Sequence, residues 1–131
     1  MPEEQGANLS ASEWRIMERL WAERPRTLMQ LYHSLKGETG WSKSTVNTLL
    51  GRMEAKRLIR YEEGRKAREY YPVIAREEAA LSETQSLLGR VYRGSVGMMM
   101  STLVESKALT QEEIDELYAI LQAAEEAQKH D

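Results

Sequence analysis

Ser44, Asn47, Thr48 and Arg52 stand at i, i+3, i+4 and i+8, the spacing that brings side chains to one face of a helix. Together they carry hydroxyls, an amide and a guanidinium, with no acid and no large hydrocarbon among them. Such groups donate and accept hydrogen bonds at base edges and phosphates without filling a groove sterically. Thr45 and Lys43 flank them. The opposite side of the same stretch holds Val46, Leu49, Leu50 and Met53 at i, i+3, i+4 and i+7, an apolar stripe that needs a core to pack on. An ordinary amphipathic helix with a solvated polar face would read the same way in isolation, so the surrounding elements decide.

Three helices are predicted to precede the change in pattern that follows Arg57. Ser10-Ala11-Ser12-Glu13 has the form of a capping box, and Trp14, Met17, Leu20 and Trp21 continue it as a stripe to about Ala22, with Pro25 closing the element. Thr27-x-x-Gln30 repeats the box. Leu28, Leu31, Tyr32 and Leu35 follow, and Gly37 is the expected C-terminal stop. His33 falls off this stripe and has no ligand-spaced companion, which makes it a surface residue. Trp41 precedes the N-cap Ser42 of the third helix, which runs to about Lys56 or Arg57. Leu58–Glu62 and Arg68–Val73 then read as strands around a Gly64-containing turn. The tip carries Arg65 and Lys66, with Arg68 just beyond. Three helices and a basic-tipped hairpin make a winged helix-turn-helix, in which the third helix enters a major groove and the hairpin holds cations against phosphates or in the adjacent minor groove. Charges that merely keep an exposed hairpin soluble are the competing account of the tip.

From Ala75 the pattern is helical again. A fourth helix is expected over Arg76–Tyr92, after which Gly94 interrupts the pattern. A fifth carries Val96, Met99, Met100 and Leu103. A sixth, opened by the box Thr110-x-x-Glu113, carries Ile114, Leu117, Tyr118 and Leu121. Three amphipathic helices in about 55 residues bury their stripes poorly alone. A second copy of the chain would supply the missing surface; folding back onto the first domain is the alternative. The run Met98–Met100 reads as pliable core filler. The expected fold class is therefore mainly α, with a winged-helix domain over residues 1–74 and a helical dimerisation domain over 75–131.

Composition narrows the chemistry. The 131 residues include no Cys, which excludes disulfides, thiolate metal sites and thiol nucleophiles. No apolar run approaches the roughly 20 residues of a membrane span, and the first residues show no basic-then-apolar leader, so the expectation is a soluble cytoplasmic protein with no membrane partner. The net charge of −3 is unevenly spread: residues 1–75 hold 13 Lys and Arg against 10 acids, and residues 76–131 hold 5 against 11. Between Lys43 and Arg68 there are 8 basic residues and 3 acidic. Screening confines each charge to about 8–10 Å, so the local sign governs contact with a polyanion. No nucleophile–base pair, metal-ligand spacing or phosphate-cradling glycine loop is present; neither enzymatic activity nor a metal or other cofactor is expected.

Several strings in this order resemble the penicillinase-repressor family of bacterial transcription regulators (BlaI, MecI and CopY). They are Leu9-Ser10-Ala11-Ser12-Glu13-Trp14-Arg15-Ile16-Met17 with Leu20-Trp21; Ser42-x-x-Thr45-Val46-x-Thr48-Leu49-Leu50-x-Arg52-Met53; Gly64-Arg65-x-Ala67-x-x-Tyr70; and Leu109-Thr110-x-Glu112-Glu113-Ile114-x-Glu116-Leu117. The resemblance covers nearly the whole chain. It implies a homodimer on an inverted repeat of double-stranded DNA over a promoter. Ser44, Thr45, Asn47, Thr48 and Arg52 would face the groove, and Lys43, Arg65, Lys66 and Arg68 the backbone. Copper-responsive members carry C-terminal cysteines, which this chain lacks. Members that respond to β-lactams are cut by a membrane-bound sensor protease at an Asn-Phe bond in the fifth helix. The equivalent pair here is Thr102-Leu103, so the resemblance carries the position of a cut but not its residue pair. Two other readings stay open from the residues: a winged-helix module that binds protein alone, and a regulator holding a small ligand among Trp41, Tyr92 and the Met cluster.

Overall fold

The computed structural model describes residues 8–130; most of the frayed tail expected over residues 1–8 lies outside them. Six helices and one hairpin follow in the order α1 (Ala11–Ala22), α2 (Leu28–Thr39), α3 (Lys43–Ala55), β1 (Ile59–Glu63), β2 (Arg68–Pro72), α4 (Arg76–Tyr92), α5 (Val96–Glu105) and α6 (Gln111–Lys129). The chain divides into two compact units, residues 1–86 and 87–131. Among the described residues no helix is long and apolar enough to cross a membrane.

Local chemistry sets the helix starts. Ser10, Thr27 and Thr110 each accept from the backbone N–H three residues on, and Glu13, Gln30 and Glu113 each accept from the cap's own N–H. These reciprocal bonds satisfy donors that a helix cannot satisfy internally. The stop of α2 departs from expectation. The helix passes through Gly37 and ends at Thr39, with Gly40 in the left-handed region at φ 70°. Gly37 keeps helical geometry because a glycine costs a helix interior only about 1 kcal/mol, whereas the reversal into Trp41 requires a positive φ. At the end of α3 that left-handed position belongs to Arg57, at φ 64°. Its N–H donates to the Glu54 carbonyl, and the Leu58 N–H donates to the Met53 carbonyl at 3.0 Å, the paired bonds of a Schellman stop. Arg93 and Lys107 take the same backbone conformation after α4 and α5, each placing a cation where a helix ends negative.

In the first unit, α1 packs on α2, α3 and β2, and α3 packs on α2 and β1. Ile16, Met17, Leu20, Leu31, Leu35, Val46, Leu50, Met53 and Leu58 are buried at its centre, with Trp14, Trp21, Leu28, Tyr32, Trp41 and Tyr61 packed around them. Ile16, absent from the stripe read for α1, is wholly buried, because three elements rather than one converge on that helix. The hairpin pairs Ile59 with Pro72 through to Glu63 with Arg68. One bridge extends it: Arg26 exchanges hydrogen bonds with Tyr70 at 2.8 and 3.2 Å, so the link before α2 serves as a third, minimal strand. Arg15 and Arg19 of α1 both bond the Glu38 carboxylate of α2. The Arg19 hydrogen bond and charge, assisted by Arg15, hold that carboxyl below its ordinary range.

The second unit is built from the end of α4 with α5 and α6. Among its described residues none is buried. Val96, Val104, Tyr118, Ile120 and Leu121 are all more than half exposed. Between α5 and α6 runs a groove lined by Val96, Met100, Val104, Ile114, Leu117 and Leu121, among other apolar side chains.

Candidate nucleic-acid interface

α3 presents its two faces as the spacing requires. Val46, Leu49, Leu50 and Met53 are buried, which fixes the helix's roll on the core. Lys43, Ser44, Thr45, Asn47, Thr48 and Arg52 are all exposed. Ser44, Asn47, Thr48 and Arg52 make no side-chain hydrogen bond among the described residues, so their donors and acceptors face outward uncommitted. Thr45 differs: its hydroxyl lies 3.1 Å from the Ser42 hydroxyl, which also accepts from the Thr45 N–H. That places Thr45 in the helix cap, with its methyl left as the group free to make apolar contact.

The wing is less uniformly basic than its sequence. Arg65 and Lys66 sit exposed at the tip. The turn closes through the Gly64 N–H to the Ala67 carbonyl at 3.0 Å, and a Cβ at Gly64 would meet that carbonyl oxygen at 2.6 Å. Arg68 is drawn back onto the hairpin, its guanidinium 4.1 Å from the Tyr61 ring centroid and 3.6 Å from the Glu63 carboxylate. Arg60 is similarly occupied, stacked 4.2 Å over Tyr71 and bonded to Glu62 at 2.8 Å. Glu62 and Glu69 face each other directly across the strands, so the shaft carries carboxylates while the tip carries the cations.

One juxtaposition escapes the sequence. The Lys36 and Lys43 ammoniums lie 5.6 and 5.7 Å from the centroid of the Tyr32 ring, so α2 brings a second cation beside the start of α3. Lys36 falls outside the basic stretch counted from Lys43 to Arg68, and only the packing of α2 on α3 discloses it. Conversely, Lys56 belongs to that stretch but is turned inward, bonded to Glu13 at 2.8 Å and to the Asn8 carbonyl at 3.2 Å. Thr102 and Leu103 are exposed on α5, with the Thr102 hydroxyl donating to the Met98 carbonyl. Trp41 packs on the core of the first unit, and Tyr92 and Met98–Met100 belong to the second. Among the described residues no cluster of His, Cys, Asp or Glu is placed to hold a metal.

Three helices with an exposed polar ridge on the third, followed by a cation-tipped hairpin, define a winged-helix DNA-binding domain. The chain belongs to the penicillinase repressor family, whose model matches residues 9–123, and is by that membership a DNA-binding repressor of transcription. It is similar to the methicillin resistance regulatory protein MecI of Staphylococcus aureus, 26% identical over 113 residues that cover 86% of this chain and 92% of that protein. It is also similar to the penicillinase repressor of Bacillus licheniformis, 27% identical over 114 residues, 87% and 89% of the two chains. The solution structure of the DNA-binding domain of the repressor BlaI superposes with a TM-score of 0.52 at 20% identity, over 60% of this chain and 93% of that one. The crystal structure of a mutant of MarR from E. coli gives 0.51 at 14% identity, over 92% and 80%. These two likenesses establish the fold.

Proposed function

We propose that two copies of this chain bind a pseudo-palindromic operator over a promoter and repress by occupying it. The observation that carries this reading is the α3 face: Ser44, Asn47, Thr48 and Arg52 outward and uncommitted, Val46, Leu49, Leu50 and Met53 holding the helix from behind. Residues 1–74 act as the DNA-binding domain and 75–131 as the dimerisation domain, in the cytoplasm where promoter DNA is found. Asn47 addresses adenine, Arg52 guanine or phosphate, and Ser44, Thr45 and Thr48 thymine methyls or phosphate oxygens. Lys43, Arg65, Lys66 and Arg68 address the backbone, Arg68 after release from Glu63. The acidic second half is held off the duplex by like charge.

Dimerisation is supported by the uncovered apolar residues of α5 and α6. A second copy laid on them removes that surface from water at roughly 25 cal/mol per Å². Joining two half-site contacts raises affinity well beyond either alone. A protease cutting at Thr102–Leu103, where α5 is exposed, divides the dimer surface and releases the operator.

The test is binding by fluorescence anisotropy to duplexes carrying the inverted repeat selected by the parent protein from random sequence. Asn47→Ala with Thr48→Ala is expected to lose about 1–3 kcal/mol for each base contact removed and to relax discrimination at those base pairs. Lys66→Ala is expected to weaken all duplexes alike and to flatten the salt dependence by about one counterion. An Asn47 and Thr48 double variant that binds its best duplex like the parent refutes the groove assignment.

A further inference from the structure

We infer that Glu13 and Lys56 form a positioning pair that sets the C-terminal end of α3 against the start of α1, and that Lys56 serves sequence discrimination without touching DNA. This rests on the DNA-binding reading above and adds to it a residue pair outside the groove face.

Glu13 is wholly buried. Its Oε1 accepts from the Ser10 N–H at 2.8 Å and from Lys56 Nζ at 2.8 Å, while Oε2 is buried with no hydrogen-bond partner among the described residues. Lys56 is the C-cap of α3, its N–H returning to the Arg52 carbonyl. Its ammonium also bonds the Asn8 carbonyl, so one side chain reaches two points on the chain that opens α1. α3 is therefore held at three places: the Ser42 cap with Trp41 at its start, the apolar stripe along its length, and Lys56 at its end. Apolar packing fixes the roll of α3 but, being non-directional, restrains the tilt of its C-terminal end less tightly. A charge-assisted hydrogen bond to a buried carboxylate is short and directional. It restrains the tilt that carries Asn47, Thr48 and Arg52 to their base edges. A base contact depends on that tilt within fractions of an ångström. A phosphate contact by a long flexible side chain depends on it far less.

The experiment compares the parent with Lys56→Met, Lys56→Arg and Glu13→Gln. Each is titrated at several salt concentrations against two probes, the duplex selected by the parent and a scrambled duplex of the same length and composition. Measurements are made well below each protein's melting temperature, on samples of known active fraction. Lys56→Met is expected to lose about tenfold or more on the selected duplex, the size of one base contact, and less than about twofold on the scrambled one. Its salt slope should stay unchanged, and Lys56→Arg should recover most of the loss. A lysine that instead contacts phosphate weakens both probes together and lowers the slope by about 0.9. That result overturns the inference, as does an unchanged affinity for both. Glu13→Gln keeps the capping box, since its amide oxygen still accepts from the Ser10 N–H, while removing the charge. It is expected to shift the selected-to-scrambled ratio in the same direction. If Lys56→Met fails to fold, Glu13→Gln decides alone, and an unchanged ratio overturns the inference. A parent that selects no duplex at all removes the DNA-binding reading itself, and the pair's proposed role with it, a result separable from any outcome of the variants.

Discussion

Glu13 has two hydrogen bonds on one carboxylate oxygen and none on the other. Burial pushes its pKa up. The hydrogen bonds from Lys56 and the Ser10 N–H and the charge of Lys56 together outweigh that, leaving the carboxyl below its ordinary value of 4.5. A depressed carboxylate adds stability that is present above its unfolded pKa and is lost as pH falls through the folded one. The first unit is therefore expected to weaken progressively below about pH 4.5, and Glu13→Gln to flatten that acid limb, as followed by chemical denaturation across pH. The two ends of the pair are not equivalent. Removing Lys56 strands a buried carboxylate, the costly half of such a pair. Neutralising Glu13 leaves a lysine that is 38% exposed and free to turn to water. Lys56→Met is accordingly expected to lower the melting temperature more than Glu13→Gln, a difference differential scanning calorimetry resolves.

At the scale of elements, the wing is tightly constrained at its turn. A side chain at Gly64 would press on the Ala67 carbonyl, and its next contacts are with the Glu69 side chain at 2.9 Å. A backbone oxygen yields less readily than a side-chain end. Gly64→Ala is expected to cost about 1–3 kcal/mol and to shift Arg65 and Lys66, seen as lower thermal stability together with a changed salt slope of DNA binding. How far such details are legible in sequence depends on their range. The three capping boxes are readable because each is closed within four residues. The α3 stripe is readable because one helix face reports on one core. The pattern places the end of α2 at Gly37 and the fold places it at Gly40, since two glycines three apart both satisfy the stop signal and only the chain reversal distinguishes them. The Arg26–Tyr70 bridge and the burial of Glu13 against Lys56 join residues 44 and 43 apart. No local pattern carries such pairings. The same limit hides Lys36, whose place beside Lys43 is a product of how α2 lies on α3.

For the molecule as a whole, the contrast between the two units is the informative feature. The first closes a core of wholly buried side chains. The second leaves Tyr118 at 71% and Leu121 at 65% exposure in a single chain. On the proposed reading, Leu121→Glu places a charge where the second copy packs. It is expected to shift the protein to monomer in analytical ultracentrifugation. Operator affinity should fall steeply in step, while the melting transition of the first unit is retained. A variant that stays dimeric with its affinity intact would place the contact elsewhere.

The bare apolar flank of α5 and α6 also bears on dosage. On the proposed reading, and where most copies are apart, the concentration of the dimer follows the square of the amount made, by mass action. A modest fall in synthesis, or dilution through growth and division, then empties a promoter far more sharply than one-to-one binding would. Sensitivity to supply of that kind requires no inducer.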